Sequence, residues 1–215
     1  MYLSKKKMKL FISILFIGLT ICSYGQDIKS QGILNKLSNK MKGQKTFYIE
    51  FSASIKNSTT GLNEKETGKG WVKQNKFYAS YGSNTMISNG MKNWTIVKED
   101  KMVYISNASE DDEMNPKKLM TIWENGFSNT FVKESKIGKT SVYVIKLKPK
   151  SKSSDYKSVM LYVAKDYSLK KVVLKTQDGT TMSYSLLKFN GNLAIDDKKF
   201  VYDSKKYPGY KSIRD

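Results

Sequence analysis

Histidine is absent from this 215-residue chain, and cysteine occurs only once. Without histidine, the Ser-His-Asp and Cys-His arrangements for nucleophilic catalysis are excluded, and so are most catalytic zinc sites. A single thiol cannot form an intrachain disulfide or a structural zinc site. A carboxylate pair of the glycosidase kind stays formally open, but no feature isolates one. We therefore expect a protein that is not an enzyme and that holds neither a metal nor a cofactor.

Arginine is nearly as scarce, because Arg214 is the only arginine among 38 basic residues. Nucleic-acid readers usually depend on arginine for bidentate contacts with bases and phosphates, so we expect no nucleic-acid partner. The formal net charge is nevertheless +19, with 19 acidic residues. Lysines at a membrane surface favour anionic headgroups by about 1 kcal/mol each. The simplest interpretation is still a lysine-rich solvated surface.

Proline and glycine are few, at 3 and 14 residues, and no long linker or domain boundary is visible. The chain opens with lysines in residues 5–9, followed by an apolar run over residues 10–21 that is too short to cross a bilayer comfortably. Small residues follow at Ser23 and Gly25, as a signal peptidase requires. We predict a signal peptide over residues 1–25, cleaved before Gln26, and one domain over residues 26–215.

Two other interpretations of this segment stay open. A lipoprotein signal would lipidate Cys22, but the residue before it, Ile21, is larger than such signals prefer. An uncleaved membrane anchor is the second alternative. The predicted cleavage removes the only thiol and the four lysines of the segment, which leaves a mature chain near +15.

Helical spacing of apolar residues appears twice in the chain. Residues 27–42 carry one stripe, formed by Ile33, Leu34, Leu37 and Met41, and Gly43 follows as a natural stop. The second helix is predicted between Asn115 and Gly126, with Leu119, Ile122 and Trp123 on one face. Acidic residues 110–113 precede it. Their contiguous spacing does not match a calcium loop, so we interpret them as a solvated loop.

The remainder alternates with a period of two residues. Residues 47–55 are the clearest case, with Phe47, Ile49 and Phe51 on one face and polar side chains on the other. Asp178-Gly179 between two strand-like runs is a strong hairpin signal. Further strands are predicted at 67–74, 76–82, 84–88, 92–98, 101–107, 128–135, 140–149, 157–165, 169–176, 180–189 and 199–203. The pattern predicts an antiparallel, mostly β domain, either a sandwich or a barrel.

An ordered set of short strings resembles the LolA family of periplasmic lipoprotein carriers. They are GWVK at 70–73, SNG at 88–90 with Trp94, PKKL at 116–119, LKPK at 147–150, FVYD at 200–203, and the tail from Pro208. Each string is weak alone, but the order covers essentially the whole chain after residue 25. The resemblance implies an α+β fold that is mostly β: an unclosed, strongly curved antiparallel barrel of about eleven strands, with helices forming a lid.

The resemblance also implies a function without covalent chemistry. Acyl chains of lipidated proteins would enter an apolar cavity and cross the periplasm from the inner to the outer membrane. The implied partners are an inner-membrane lipoprotein-releasing ABC transporter and an outer-membrane acceptor, and the implied state is a monomer. The family's common arginine after Trp-Val-Lys, implicated in lid contacts and handover, is replaced by Gln74.

Candidate site residues follow from combining the resemblance with the apolar pattern. The candidate cavity walls are Phe47, Ile49, Phe51, Trp71, Phe77, Ile87 and Trp94. The candidate lid residues are Leu119, Ile122, Trp123, Leu34 and Leu37, and Gln74 is the lid-contact position. Any of the wall residues can equally be ordinary core.

Three alternative functions stay open from the sequence. The same fold can serve as a lipid or glycolipid transporter or as an envelope-stress sensor domain. A secreted module that binds polysaccharide or peptide would place aromatic residues on the outer face of a sheet. An enzyme would instead show a polar cleft with perturbed carboxylates.

Overall fold

The structure is a computed structural model, and it describes residues 27–108, 121 and 123–214. One α-helix, α1 (Ile28–Lys42), precedes the strands. Asp27 caps it, because its Oδ1 accepts from the backbone N–H groups of Lys29 at 3.0 Å and Ser30 at 3.1 Å. Gly43 ends it, as predicted. The apolar stripe is buried, which confirms the helix expected over residues 27–42.

The twelve strands of the described residues form one sheet, whose order is β12-β6-β5-β4-β3-β2-β1-β11-β10-β9-β8-β7. The first six strands are β1 (Thr46–Asn57), β2 (Leu62–Lys73), β3 (Lys76–Tyr81), β4 (Asn84–Ser88), β5 (Lys92–Val97) and β6 (Met102–Asn107). The other six are β7 (Phe127–Ile137), β8 (Thr140–Pro149), β9 (Tyr156–Ala164), β10 (Leu169–Thr176), β11 (Thr181–Gly191) and β12 (Lys211–Arg214). The sheet is curved and unclosed, which confirms the predicted fold class.

The long strand β1 joins the two halves of the sheet. It pairs antiparallel with β2 on one side and with β11 on the other, over nearly its whole length. Neighbouring strands elsewhere are mostly consecutive hairpins, while β12 pairs with β6 in parallel. The core therefore depends on contacts between strands that are far apart in the sequence, such as β1 and β11, which local patterns do not contain.

The predicted strand over residues 199–203 is wrong. Residues Asp197–Phe200 form a short 3-10 helix, capped by the Asp196 side chain, and residues 201–203 are not in a strand. The alternation of Phe200 with Tyr202 resembles that of a strand. Phe200 is instead the last residue of the 3-10 helix, and its side chain is buried. The last strand comes later, at β12, so the sheet has twelve strands rather than about eleven.

The sheet has two distinct faces. The inner face is defined here as the one that carries α1, whose Ile33, Leu34 and Leu37 pack on apolar residues of β8, β9 and β10. A second inner-face cluster contains Phe47, Ile49, Val72, Phe77 and Met86, from β1 to β4. The outer face carries the C-terminal segment, whose tyrosines pack on β3 to β6. Within the described ranges, no helix is both long and apolar enough to span a bilayer.

Candidate functional site

An apolar groove lies on the inner face of the sheet and has a volume of about 640 Å³. This volume is within the usual range of small-molecule sites. Its apolar lining comes from β1 and from strands on both sides of it: Ile49, Phe51, Ala53, Ile55, Ala79, Met86, Leu169, Val172, Met182 and Leu186. It is partly open to solvent, so an apolar ligand has a path of entry.

Strand β1 forms the middle of the groove. Its inward residues follow the period of two and become smaller at Ala53, which leaves space between the neighbouring strands. Gly70 on β2, which pairs with Ile49, enlarges that space, and Gly68, which pairs with Phe51, leaves room for the Phe51 ring. A Cβ at Gly68 would lie 2.8 Å from both Phe51 Cε1 and the Ser80 carbonyl oxygen. The Phe51 ring therefore requires glycine at this position.

Charged side chains lie along one part of the groove. Glu64 and Glu66 pair with Ile55 and Ala53, towards the β1–β2 turn, and Glu99 lies in the β5–β6 turn. The opposite end, between Ile49 and Met86, is apolar on the β1–β4 side, while Lys170 and Lys171 line the groove from β10. On the β1–β4 side the groove is thus amphipathic along its length, with carboxylates at one end and hydrocarbon at the other.

Two tyrosines supply polar atoms within the apolar part. Tyr81 lies at the end of β3, and Tyr184 lies on β11, on the other side of β1. Burial raises the pKa of Tyr81. Burial also raises the pKa of Tyr184, and the neighbouring charges of Tyr156 and Tyr81 raise it further. Both hydroxyls therefore stay protonated near neutral pH and can donate hydrogen bonds.

Four of the seven predicted wall residues lie together on the inner face. Ile49 and Phe51 line the groove itself. Phe47 and Phe77 are buried in the same cluster, and Phe47 stacks on Phe189 with ring centroids 5.6 Å apart. They support the apolar end of the groove.

The other three predicted wall residues are on the wrong face. Trp71 lies on the outer face, with its ring centroid 4.8 Å from that of Tyr48 and 5.6 Å from that of Tyr78. Ile87 and Trp94 pair with each other and pack under the C-terminal segment. These residues build a separate outer core, so assigning them to the cavity wall was wrong.

Hairpin register explains this error and could have revealed it. The β2–β3 turn contains two residues, so Val72 pairs with Phe77 and Trp71 pairs with Tyr78. Directly paired residues share a face, so Trp71 and Phe77 must lie on opposite faces. Aromatic character alone does not carry this information.

The predicted lid residues that the structure describes are firmly packed. Leu34 and Leu37 are buried between α1 and the sheet. Trp123 is also buried there, and its Nε1 donates to Ser38 Oγ at 2.7 Å. Leu119 and Ile122 lie outside the described residues, as do most of the predicted second helix and the acidic residues 110–113.

Gln74 occupies the β2–β3 turn. Its φ is +56°, and its backbone N–H donates to the Lys45 carbonyl oxygen at 3.1 Å, just after α1. The position therefore lies near the C-terminal end of α1, with an exposed side chain. A role in lid contact stays a prediction.

The sequence patterns did not identify the residues that β11 contributes to the groove. Met182, Tyr184 and Leu186 reach the groove because β11 pairs with β1, although the two strands are far apart in sequence. Tyr81 and Met86 were not selected either. Their alternation with Phe77 and Ala79 across the β3–β4 hairpin was the available signal.

Most of the chain matches a known protein family. The profile of the family described as outer membrane lipoprotein carrier protein LolA matches residues 42–203. The chain belongs to the LolA family. The matched range runs from the end of α1 to the C-terminal segment, and it includes every groove-lining strand.

Several solved structures are similar to this chain at low sequence identity. LprF from Mycobacterium bovis is 12% identical with a TM-score of 0.48, over 80% of this chain and 98% of that chain. A putative outer membrane lipoprotein-sorting protein domain from Vibrio parahaemolyticus is 11% identical, with a TM-score of 0.45, over 80% and 96%. The LolA superfamily protein NE2245 from Nitrosomonas europaea is 12% identical, with a TM-score of 0.41, over 80% and 97%. A search of curated proteins found no match. The family assignment therefore rests on the sequence match.

Proposed function

We propose that this LolA-family protein is a carrier that binds the acyl chains of lipidated proteins and moves those proteins through the periplasm from the inner to the outer membrane. The observation that carries the proposal is the open apolar groove of about 640 Å³ on the inner face of the sheet. The function is transport without covalent chemistry. The protein is proposed to act as an exported monomer without a cofactor.

The energetics of hydrocarbon in water support a groove of this kind. Each CH₂ group that leaves water contributes about 0.8 kcal/mol, so a long acyl chain needs shelter during transit. A carrier must also release its cargo, and a partly open groove binds less tightly than a close-packed core. The proposed partners are an inner-membrane ABC transporter that loads the groove and an outer-membrane acceptor that empties it.

Capture of cargo tests the proposal directly. The chain from Gln26 onwards is incubated with spheroplasts whose lipoproteins carry a radiolabelled acyl group, and the soluble fraction is separated by size. We expect labelled lipoproteins in soluble one-to-one complexes with the carrier. Recovery of free lipid alone would instead support a lipid or glycolipid transporter, and no release by folded protein would contradict the carrier function.

A pair of variants connects the capture to the groove. Ala53→Phe places an aromatic ring in the middle of the groove, whereas Ser54→Phe adds the same ring to the outer face. We expect Ala53→Phe to lower acyl-chain binding at least tenfold while Ser54→Phe binds like the parent. Both variants are compared by circular dichroism and thermal unfolding. Equal binding by the two folded variants would place the acyl site elsewhere.

A further inference from the structure

The hydroxyl groups of Tyr81 and Tyr184 need an explanation, because they stand in an apolar groove without strong partners. Among the described residues, nothing hydrogen-bonds to the Tyr81 hydroxyl, and the Tyr184 hydroxyl meets only the weak acceptor Met182 Sδ at 4.0 Å. Both tyrosines are partly exposed, so water can reach their hydroxyls while the groove is empty. An apolar ligand that fills the groove displaces this water, and phenylalanine would then supply the same apolar surface without leaving a donor unpaired. The hydroxyls therefore indicate a polar atom on the ligand.

The position of the two side chains defines where that atom would lie. Through strand pairing, Tyr81 is level with Gly68 and Phe51, and Tyr184 is level with Ala53. They approach the groove from β3 and β11, on opposite sides of β1. The small Ala53 leaves the space between the two sides open.

The groove differs in polarity on the two sides of this level. Between Ile49 and Met86, on the β1–β4 side, the lining is apolar. Towards the β1–β2 turn the carboxylates of Glu66 and Glu64 begin. An amphiphile fits with its hydrocarbon beyond the tyrosines on the apolar side and its polar head on the carboxylate side. Its first polar atoms would then lie at the level of the hydroxyls.

We propose that Tyr81 and Tyr184 donate hydrogen bonds to a carbonyl oxygen at the head of an acyl chain, so that the groove selects ester- or amide-linked acyl groups over plain hydrocarbon. The carbonyl accepts and the two hydroxyls donate. This selectivity rests on the proposed acyl-chain function of the groove and adds the part of the ligand that the groove recognises.

The experiment compares ligands that differ only in the carbonyl. One probe is a diacylglyceryl lipopeptide with ester-linked chains, and the other is its dialkyl ether analogue with chains of equal length. A second pair, ester- and ether-linked phospholipids, separates a lipopeptide source of the carbonyl from a membrane-lipid source. Binding is measured by fluorescence displacement for the parent chain from Gln26 onwards, for the double variant Tyr81→Phe/Tyr184→Phe, and for Tyr162→Phe as an outer-face control.

The parent and Tyr162→Phe should prefer the ester probe of at least one pair by about two- to tenfold, the range that a hydrogen bond contributes. The double variant should lose that preference and retain its affinity for the ether probe. Equal parent affinity for ester and ether, or a preference that survives in the folded double variant, would overturn the proposal and leave the acyl-chain function standing. Failure of the parent to bind any probe would overturn both.

Discussion

Gly68 shows how one residue determines the shape of the groove. The position faces inwards beside Phe51, and the space of its missing side chain is occupied by the Phe51 ring. Glycine in the middle of a strand is normally unfavourable, so it is expected where another group approaches closely. At this position the approaching group is a residue of the groove wall itself.

Replacing Gly68 by alanine should therefore be costly. The new Cβ would lie 2.8 Å from Phe51 Cε1 and from the Ser80 carbonyl oxygen, so the ring must leave its place. We expect the free energy of unfolding to fall by about 1–3 kcal/mol, as for other overpacked sites. Chemical denaturation of the single variants and of Gly68→Ala/Phe51→Leu measures this, and the double variant should recover part of the loss.

Gly32→Ala supplies the matched control for this substitution. Gly32 lies within α1 and a Cβ there meets nothing within 4 Å, so alanine should stabilise the helix by about 0.5–1 kcal/mol. A Gly68→Ala variant as stable as the parent would show that Phe51 is free to move and does not define the wall.

Helix α1 is held to the sheet by its own N-cap. Asp27 Oδ1 caps the helix, while Oδ2 accepts the Phe131 backbone N–H of strand β7 at 2.7 Å. The bonds from Phe131 and then Ser30 hold the pKa of Asp27 below its ordinary value of 3.8. One carboxylate thus joins the start of the helix to the edge of the sheet.

Replacing Asp27 should weaken this junction in a pH-dependent way. Asp27→Ala should lower the free energy of unfolding at neutral pH by about 1–2 kcal/mol. Because the folded-state pKa is lowered, the contribution is present above the ordinary value of 3.8 and is lost as pH falls through the folded value. Denaturation curves at several pH values should show the difference between parent and variant shrinking below about pH 4. Asp27→Ser, which still caps but no longer accepts from Phe131, should lose less than Asp27→Ala, and a serine variant as stable as the parent would contradict a role for the bond to Phe131.

The two edges of the sheet are protected differently. At one edge, β7 has a register shift between Phe131 and Lys133, and Asp27 occupies one of its backbone donors. At the other edge, the four exposed residues of β12 cover β6 in parallel. Unprotected edges invite pairing with other chains, and bulges, lysines and short edge strands prevent it. The unclosed sheet therefore depends on the short strand β12 to protect the edge at β6.

Removing β12 should make the protein self-associate. A chain that ends at Tyr210 exposes the backbone donors and acceptors of β6, next to the half-exposed Tyr104. We expect concentration-dependent oligomers by light scattering, whereas the full-length control Ile213→Ser, which retains the β12 backbone, should behave as the parent. A truncated chain that matches the parent at all concentrations would show that β12 does not protect the edge.

Local patterns in the sequence determined the elements of this protein but not their partners. Helix α1 and the alternation of β1 were predictable because caps, stops and side-chain periods act between residues close in the chain. Which face a residue serves depends on strand register, so Trp71, Ile87 and Trp94 were assigned to the groove although they build the outer core. The structure alone decided that Tyr81 and Tyr184 meet the same groove, because β11 returns from the far end of the chain to pair with β1.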